Sequence, residues 1–375
     1  MNIRISKNKF YEALQIVSRA IAPNSPVPAL SGIKIEAYTN ELVITGSDAD
    51  ISIKMVLSNE TEPELNLSVI EEGSVVIDYR YLNEIVRKID SEEVQIEIID
   101  GTLTRFSGGK AEFKINGFRA SDYPTIDFSV PSNHFTIKCH KLSEIIEETA
   151  FAVNSKDTRV ILTGVNMKCD GSVLVCTATD SYRLAKKTIN TECEPFGITV
   201  VAKTLNMARN IFGSSDSEVE ISQNDKKIVF SEGGIIMQSR LLDGTFPETE
   251  RLIPTEFSRE LVINRRSLIS ALDRSSFIKT DNMAIIRCQI NGNEVLLTNK
   301  SQEIGEAHEE LVAESYTGEP LDISFSGTYV EDAAKALSSD NIRIKFTGEM
   351  KPFILVNDGE DTSLLQLVLP VRTYN

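Results

Sequence analysis

The sequence predicts an α+β fold in which one domain is repeated three times in tandem. Near residues 1, 135 and 261, a short alternating strand runs into an amphipathic helix, and Phe10, Leu142 and Leu268 hold the same place in the three segments. These positions lie 132 and 126 residues apart, which is longer than the roughly 20–50-residue unit of a solenoid and is the size of a whole domain. Such a chain is expected to build a curved or closed object.

A second strand and helix recur later in each copy. Leu82, Leu205 and Val330 hold equivalent places, 123 and 125 residues apart. The spacings differ slightly, as expected where loops vary while strands and helices are kept. The alternative is three unrelated α+β domains that share one strand-helix unit, and two such units in the same order in every copy weigh against it.

Between the helices, the sequence alternates with the period of two that is typical of half-buried strands. The alternating segments include 42–45, 51–57, 94–99, 219–222 and 342–346. Each copy therefore reads as two β-α-β-β-β halves that pack together, each helix lying on the sheet of its own half. Connectors that carry an Asp before an aromatic-Pro pair end the first two copies. The expected domains span residues 1–126, 127–252 and 253–375.

Two aspartates extend the register of the first two copies. Asp48 and Asp180 lie 132 residues apart, each at the end of a predicted strand. They could be offered as metal ligands. Their recurrence in register favours a structural role instead, because an Asp carboxylate readily accepts hydrogen bonds from nearby backbone N–H groups in a turn.

The distribution of charge is more informative than its total. The formal net charge is −16, which by itself argues against binding to nucleic acid. The six predicted helices (7–20, 78–90, 140–153, 203–212, 264–276 and 327–338) together carry +3, so the remaining residues carry −19. If these helices line one surface, that surface is mildly basic within an acidic shell. Random scatter of charge remains open as the alternative.

The composition favours a cytoplasmic protein. The five cysteines include no Cys-x-x-Cys pair, and Cys169, Cys176 and Cys288 fall in apolar strands, where a free thiol acts as a small hydrophobe. A reducing compartment is the simplest setting. The amphipathic N-terminal segment does not read as a secretory signal, and no run of eighteen apolar residues predicts a membrane span.

No catalytic constellation is visible. His134, His140 and His308 lie in unrelated places without the spacing of metal ligands, and the chain has no phosphate-binding loop and no nucleophile elbow. We therefore expect no cofactor, no metal and no enzymatic activity. A carboxylate-dependent hydrolase on a tandem α+β scaffold is kept as the alternative function.

Three stretches resemble signature segments of one family, the bacterial sliding clamps, which are the β subunits of DNA polymerase III. They are Thr177-Ala-Thr-Asp-Ser-Tyr-Arg-Leu184, the segment 239–254 and Leu367-Val-Leu-Pro-Val-Arg-Thr373. The resemblance extends over the whole chain, in the number of copies, the order of elements and the connectors. It implies a non-catalytic processivity factor: a head-to-tail homodimeric ring of six domains, with helices inside and sheets outside, through which duplex DNA slides without its bases being read.

The resemblance also implies which residues contact DNA. The positions expected to face it are Lys7, Lys9, Arg80, Lys88, Lys156, Lys203, Arg209, Arg265, Arg266 and Lys335. Lys156 matches a family loop position between a helix and the next strand. The corresponding loop of the first copy reads Pro-Asn-Ser-Pro over 23–26, where many clamps carry an Arg, so a DNA contact there stays open.

In the family, the replicative polymerase, the clamp loader and repair proteins insert a short peptide between the second and third domains. The matching positions are Leu162, Thr179, Ser181, Tyr182, Arg183, Leu184, Pro247, Arg251, Leu252, Leu367, Leu369, Pro370, Val371 and Arg372. An apolar cleft would anchor Leu or Phe side chains, while Arg183 and Arg372 orient the peptide. Tyr182 and Val371 stand where several relatives carry His and Met, so peptide preference can differ.

The family dimer interface joins the first domain of one chain to the third of the other. By position it would use an apolar centre of Phe113, Ile115, Phe277 and Ile278, with Lys110 and Arg105 facing Glu303 and Glu306 at the rim. A third functional reading is a static DNA-binding regulator. The acidic total and the absence of a recognition motif weigh against it.

Overall fold

The fold is described from a computed structural model, which covers residues 1–22, 24–213, 216–279 and 283–372. Pro23 of the 23–26 loop and Thr373 of the C-terminal segment lie outside these ranges. The chain divides into two compact units. Unit 1 comprises residues 1–140 and 207–241, and unit 2 comprises residues 141–206 and 242–375.

The described residues contain six α-helices, one for each predicted strand-helix unit, which confirms that part of the prediction. They are α1 (Lys7–Val17), α2 (Tyr79–Lys88), α3 (Cys139–Thr149), α4 (Ala202–Phe212), α5 (Arg265–Ser275) and α6 (Gly327–Ala336). Short 3-10 turns follow α1 at Ser18–Ala20 and α3 at Ala150–Ala152, so the helical segments predicted from hydrophobicity run a few residues past the α-helices themselves.

The helices form where an apolar stripe recurs every three to four residues. The buried positions are Phe10, Ala13, Leu14 and Val17 in α1, and Leu268, Ala271, Leu272 and Ser275 in α5. The two sets have the same spacing, so the repeat visible in the sequence is a repeat of the buried helix face. The amide of Ser267 donates to Oδ1 of Asn264 at 3.0 Å and caps the start of α5.

Unit 1 contains two antiparallel sheets. The first has the strand order β5 (Ser68–Glu71), β1 (Asn2–Ser6), β7 (Glu93–Asp100), β8 (Leu103–Gly108) and β9 (Ala111–Asn116). The second has the order β10 (Asn133–Lys138), β15 (Glu218–Gln223), β16 (Lys227–Glu232), β17 (Ile235–Arg240), β4 (Ile51–Ser58), β3 (Glu41–Ser47), β2 (Gly32–Tyr38) and β6 (Gly73–Asp78).

Unit 2 also contains two antiparallel sheets. The larger has the order β14 (Phe196–Val201), β11 (Gly164–Cys169), β12 (Val173–Thr179), β13 (Arg183–Asn190), β26 (Leu364–Val368), β25 (Phe353–Asn357), β24 (Asn341–Phe346), β18 (Arg259–Asn264) and β22 (Ser315–Thr317). The smaller has the order β21 (Gly305–Val312), β20 (Glu294–Ser301), β19 (Ile285–Asn291) and β23 (Leu321–Ser326).

The six β-α-β-β-β halves predicted from the sequence are present, but their strands are exchanged. In the first copy, β1 pairs with β7 of the second half, and β6 pairs with β2 of the first half. The third copy repeats this, since β18 pairs with β24 and β23 pairs with β19. Every sheet therefore takes its first strand from the other half. The helices α1 and α5 still pack on strands of their own halves, α1 on β3 and β4 and α5 on β20 and β21, as expected.

The last strand of a half makes the connection between copies. β17 pairs with β4 over Ile235–Ser239, and β26 pairs with β13 over Leu364–Val368. The first pairing fuses two groups of four strands into one sheet, and the second fuses a group of four with a group of five. Among the described residues, the last strands β9 and β21 pair on one side alone, with β8 and β20 respectively.

Cys169 differs from the prediction of a free thiol. Its sulfur lies 2.08 Å from that of Cys193, and the two form a disulfide. Cys193 lies outside any strand, so the alternating pattern does not show that it comes near the end of β11. Cys139, Cys176 and Cys288 are free and buried, and burial raises the pKa of the Cys176 and Cys288 thiols to about 12.

No helix in the described ranges is long and apolar enough to cross a bilayer.

A buried ion cluster ties β13 to α3 within unit 2. The Lys187 side chain is 5% exposed, and its Nζ lies 2.8 Å from Oε2 of Glu148 and 3.0 Å from Oε1 of Glu144. Burial raises the pKa of the Glu148 carboxyl. Burial alone would lower the pKa of Lys187, but its contacts with the two carboxylates outweigh that effect and raise this pKa. The cluster is thus stable because its charges compensate one another.

We predict that Lys187→Met destabilises the protein by about 3–5 kcal/mol at neutral pH, because it leaves the buried Glu148 carboxylate without a counter-charge. The folded-state pKa of Glu148 is raised, so the stability contributed by its protonation is present at low pH and is lost as pH rises through that pKa. Part of the deficit should therefore disappear between pH 7 and pH 5 in urea unfolding of variant and wild type.

The control for this prediction is Lys187→Met combined with Glu148→Gln. The double variant should recover stability at pH 7 and lose the pH dependence of the deficit. A Lys187→Met protein that unfolds like the wild type at both pH values would contradict the prediction.

Candidate functional site

The β13–β26 pairing in unit 2 brings together apolar residues at the place where the peptide cleft is predicted. Leu184 lies opposite Leu367 across the two strands, and Ile354 lies opposite Leu367 on β25. These three side chains are at most 5% exposed and form one cluster. Ile253, Phe257, Val356 and Leu365 pack against it and remain partly exposed. Leu184 and Leu367 of this cluster belong to the predicted pocket residues, whereas Ile354 does not.

A tight turn between β12 and β13 shapes one wall of the cleft. Oδ1 of Asp180 accepts hydrogen bonds from the amides of Tyr182 and Arg183, both at 2.9 Å. Ser181 has a φ of 76°, in the left-handed region, and its amide donates to Oγ1 of Thr179. This turn leaves the Tyr182 side chain 63% exposed. The prediction that Asp180 serves a structural turn is confirmed.

Arg183 is held rigidly by its own chain. Its Nε donates to Asp180 at 3.1 Å, Nη1 to Asp332 at 2.6 Å and Nη2 to the Phe151 carbonyl at 2.8 Å. The guanidinium also lies 4.6 Å from the Tyr329 ring centroid and 5.3 Å from that of Phe151. With its side chain 12% exposed, Arg183 braces the turn against α6 and has little surface left for a peptide, so its role is one of positioning.

The remaining predicted cleft residues fall into an exposed and a buried group. Tyr182, Ser181, Pro247, Arg251, Leu252 and Arg372 are exposed, Leu369, Pro370 and Val371 are half-buried, and Leu162 and Thr179 are buried. The amide of Leu369 donates to the Tyr182 carbonyl at 2.9 Å, which joins the C-terminal segment to the turn. Glu250 accepts from Lys186 at 2.7 Å and holds the 250–252 turn to β13.

Five residues at the cleft were not predicted: Ile253, Phe257, Ile354, Val356 and Leu365. Ile354 and Val356 belong to β25, whose run of Phe, Ile, Leu and Val is a plain strand signal. Alternation shows that such a strand is buried, but it does not show which strand lies beside it. The β25–β26 pairing that brings Ile354 to the cleft is a long-range fact that the pattern alone does not contain.

The cations predicted to face DNA are mostly accessible. Arg80, Lys88, Lys156, Lys203, Arg266 and Lys335 are exposed, and Lys7, Lys9, Arg209 and Arg265 are half-buried. Several of them form ion pairs with carboxylates of their own chain: Arg80 with Asp78 at 2.8 Å, Lys88 with Glu84 at 2.8 Å, Lys335 with Glu331 at 2.5 Å and Lys9 with Glu62 at 2.6 Å. Their field is therefore weaker than the count of cations suggests.

Most of the predicted dimer residues lie on or near β9 and β21, the two last strands that pair on one side alone among the described residues. On β9, Phe113 and Ile115 are half-buried, and Lys110 just before it is exposed. Arg105 on β8 is ion-paired with Glu97 of its own chain. In unit 2, Phe277 is 67% exposed, and Glu303 and Glu306 are exposed beside and on β21.

Ile278 does not fit the predicted interface. Its side chain is 1% exposed, and its carbonyl accepts a hydrogen bond from the buried Asn299 amide at 2.8 Å. Ile278 belongs to the core of its own copy, while its neighbour Phe277 points outward. Sequence position alone could not separate two adjacent apolar residues of a loop, one of which is buried.

Comparison with known proteins decides the family. Models of the DNA polymerase III beta subunit match the chain with the N-terminal domain over residues 1–127, the central domain over 136–248 and the C-terminal domain over 250–372. The beta sliding clamp of Bacillus subtilis is 36% identical over 379 residues, with 100% of both chains covered. That of Staphylococcus epidermidis is 35% identical over 377 residues, again with complete coverage. The chain belongs to the beta sliding clamp family.

Solved structures agree with this membership. The crystal structure of the Bacillus subtilis sliding clamp matches with a TM-score of 0.95 at 35% identity and covers 100% of both chains. The DNA polymerase III beta chain of Streptococcus pneumoniae matches with a TM-score of 0.95 at 30% identity, covering 99% of this chain and 100% of that one. The predicted fold of three tandem clamp domains is confirmed.

As a member of the sliding clamp family, the chain is a non-catalytic processivity factor of DNA replication. The alternative of a carboxylate-dependent hydrolase finds no support among its relatives. The carboxylates that suggested it have structural roles, as Asp180 shows in its turn.

We predict that Arg183→Gln destabilises the protein by about 3 kcal/mol or more. The substitution removes the positive charge that Arg183 places beside the carboxylates of the buried Asp180 and of Asp332. Chemical unfolding monitored by circular dichroism measures this loss. The matched control is Arg251→Gln, whose side chain is 86% exposed and whose loss should change stability by less than about 0.5 kcal/mol. Equal effects of the two substitutions would show that Arg183 is not the brace inferred here.

Proposed function

We propose that two copies of this chain close head to tail into a ring around duplex DNA, and that the apolar cleft of unit 2 tethers the replicative polymerase, the clamp loader and repair proteins to it. The observation that carries the ring is the set of last strands. Four of the six, β4, β17, β13 and β26, pair across copies within one chain. The other two, β9 and β21, are the equivalent strands, and within the described part of the chain they have no such partner. We therefore propose that β9 of one chain pairs with β21 of the next.

The burial of side chains supports this pairing. On β17, the inward-facing Ile235 and Met237 are buried against β4, at 8% and 0% exposed. On β9, the inward-facing Phe113 and Ile115 stay half-buried. An edge strand that presents apolar side chains and unpaired backbone groups readily pairs with another chain. A head-to-tail contact closes only if the rotation per subunit sums to a full turn, and two chains of three copies would meet this condition with six domains.

The helices are proposed to face the DNA, with the ten predicted cations on or near them. The weak net charge of the helices suits a clamp that slides, because each tight phosphate contact adds a salt-dependent grip on the backbone. DNA and a replicative polymerase are the partners expected from the family, without a membrane partner. We place the domain boundaries at 1–126, 127–252 and 253–375, close to the ranges of the family models, and the protein in the cytoplasm with the DNA that it serves.

The cleft is proposed as the peptide site on the basis of its accessible apolar surface. Tyr182 and Leu252 are 63% and 56% exposed beside a buried floor of Leu and Ile. Exposed apolar side chains next to a concave apolar floor mark binding sites, and an extended segment with Leu or Phe anchors suits such a groove.

The ring predicts that the protein in solution has about twice the 41.6 kDa chain mass and stays on nicked circular DNA until the DNA is linearised. Phe113→Asp should shift the mass toward the monomer and abolish retention, because a charge would be buried at the centre of the joint. Light scattering coupled to gel filtration and a bead-retention assay measure the two effects.

The control for the ring is Tyr38→Asp, at a hairpin residue that is 46% exposed and distant in sequence from β9. It should leave mass and retention unchanged. A wild-type monomer that leaves circular DNA as fast as linear DNA would contradict the ring, and a dimeric Phe113→Asp protein would contradict the β9 joint.

If the cleft binds the peptide, Leu252→Asp should lower the affinity for a fluorescein-labelled octapeptide with adjacent Leu and Phe by about tenfold or more, as measured by fluorescence anisotropy. The mass in solution and the retention on circular DNA should stay as in the wild type. Met350→Asp is the matched control, at another exposed apolar residue of unit 2. Equal affinities for the two variants would remove Leu252 from the site.

A further inference from the structure

Unit 1 contains a joint built in the same way as the cleft of unit 2. The amide of Arg240, at the end of β17, donates to the Asp50 carbonyl at 3.1 Å, as the amide of Leu369, after β26, donates to Tyr182 at 2.9 Å. In each unit, this hydrogen bond joins the C-terminal end of one copy to a turn in the preceding copy. That turn connects two neighbouring strands.

The turns themselves are equivalent. Oδ1 of Asp48 accepts from the amides of Asp50 and Ile51 at 3.0 and 2.7 Å, as Asp180 does for its own turn. Ala49 has a φ of 79°, which matches the 76° of Ser181. The two joints thus share a backbone down to a left-handed residue, although their side chains differ.

A cavity of about 480 Å³ lies at this joint of unit 1. This volume falls within the roughly 300–1,000 Å³ of typical ligand sites. Its walls come from the Asp48–Asp50 turn, the connector after Tyr123, the turn between β15 and β16, and the end of β17. The cavity therefore lies at the place in unit 1 that corresponds to the proposed apolar cleft of unit 2.

The side chains at equivalent places have opposite chemistry. Ser52 pairs with Gln238 where Leu184 pairs with Leu367. Asp50 stands in place of Tyr182, and Arg240 in place of Leu369. In place of a Leu floor, an apolar anchor would meet the Ser52 hydroxyl, which is hydrogen-bonded to Ser47 at 2.8 Å, and the Gln238 amide, whose Oε1 accepts from Lys227 at 3.3 Å. These groups offer an apolar side chain no apolar contact, so we expect a polar occupant.

Three cations give the lining of the cavity a net positive charge. Lys227 is 18% exposed, and its Nζ is held in the wall by the Asp127 carbonyl at 3.0 Å, the Gln238 side chain at 3.3 Å and the Asp127 carboxylate at 3.5 Å. Lys226 is exposed at the rim. Arg240 and Asp50, both 75% exposed, are 3.7 Å apart. An ion pair this exposed to solvent contributes little to stability. A ligand carboxylate can replace Asp50 at Arg240.

We propose that this cavity is a second docking site, which takes an acidic segment of a partner protein, with Asp or Glu carboxylates meeting Lys226 and Arg240 and the Lys227 ammonium in the wall. The lining carries three cations against the two carboxylates of Asp50 and Asp127, in a chain whose net charge is −16. The proposal extends the docking function proposed for unit 2, but it needs neither that cleft nor the ring.

The test uses the full chain and a fluorescein-labelled octapeptide of alternating Ser, Glu and Asp, in fluorescence anisotropy at low salt. We expect saturable binding that weakens by about tenfold or more in Lys226→Glu/Arg240→Glu, since two charge contacts reverse sign. The matched control is Lys168→Glu/Lys351→Glu, which makes the same change of charge at exposed lysines of unit 2 and should bind as the wild type does.

Hydrogen exchange then locates the peptide. Protection should appear in 47–53 and 224–241, and the Leu252→Asp variant should show it as well. Four results would overturn the proposal: no binding up to about 1 mM, equal losses in the two double variants, protection at 179–184 instead, or full displacement by a short duplex DNA, which would assign the cations to phosphate. Failure of the unit 2 cleft alone would be seen with the Leu-Phe peptide and would leave this result unchanged.

Discussion

The rest of the structure depends on one interaction, the antiparallel pairing of the last strand of one half with the last strand of a half in another copy. Backbone N–H and C=O groups need partners, and a half that ends in a strand presents a row of them at its edge. The β17–β4 and β26–β13 pairings satisfy these groups and fuse neighbouring sheets. The same requirement at β9 and β21 can be met by a second chain, so the joints within the chain and the proposed joint between chains have one physical cause.

The same pairing determines where the two proposed binding sites lie. At each joint, the end of the last strand meets a turn of the neighbouring copy. An Asp carboxylate and a residue in the left-handed region stabilise that turn: Asp48 with Ala49 in one joint, and Asp180 with Ser181 in the other. The two joints share this backbone geometry, so the proposed difference in what they bind would come from their side chains. Leu184 and Leu367 make one joint apolar, whereas Ser52 and Gln238 make the other polar.

The sequence predicted most of what is local and little of what depends on distant neighbours. The helices were predictable because Phe10, Leu142 and Leu268 mark a buried stripe, and the Asp turns because a short carboxylate has few other roles at a strand end. The exchange of first strands between halves was not predictable, since alternation identifies a buried face but no neighbour. For the same reason Ile354 was missed at the cleft, Ile278 was placed in an interface although it is buried, and Cys169 was taken for a free thiol.

The pairing of the proposed DNA-facing cations bears on how such a ring would hold its substrate. Arg80, Lys88 and Lys335 each lie within 3 Å of a carboxylate on the same helix or at its cap. A cation that already has a carboxylate partner releases fewer counterions on meeting a phosphate, which flattens the dependence of binding on salt. Direct affinity would then contribute little to residence on DNA. Retention would depend on whether the β9–β21 joint stays closed, so the strength of two short strand pairings, rather than the charge of the helices, would set the lifetime of the complex.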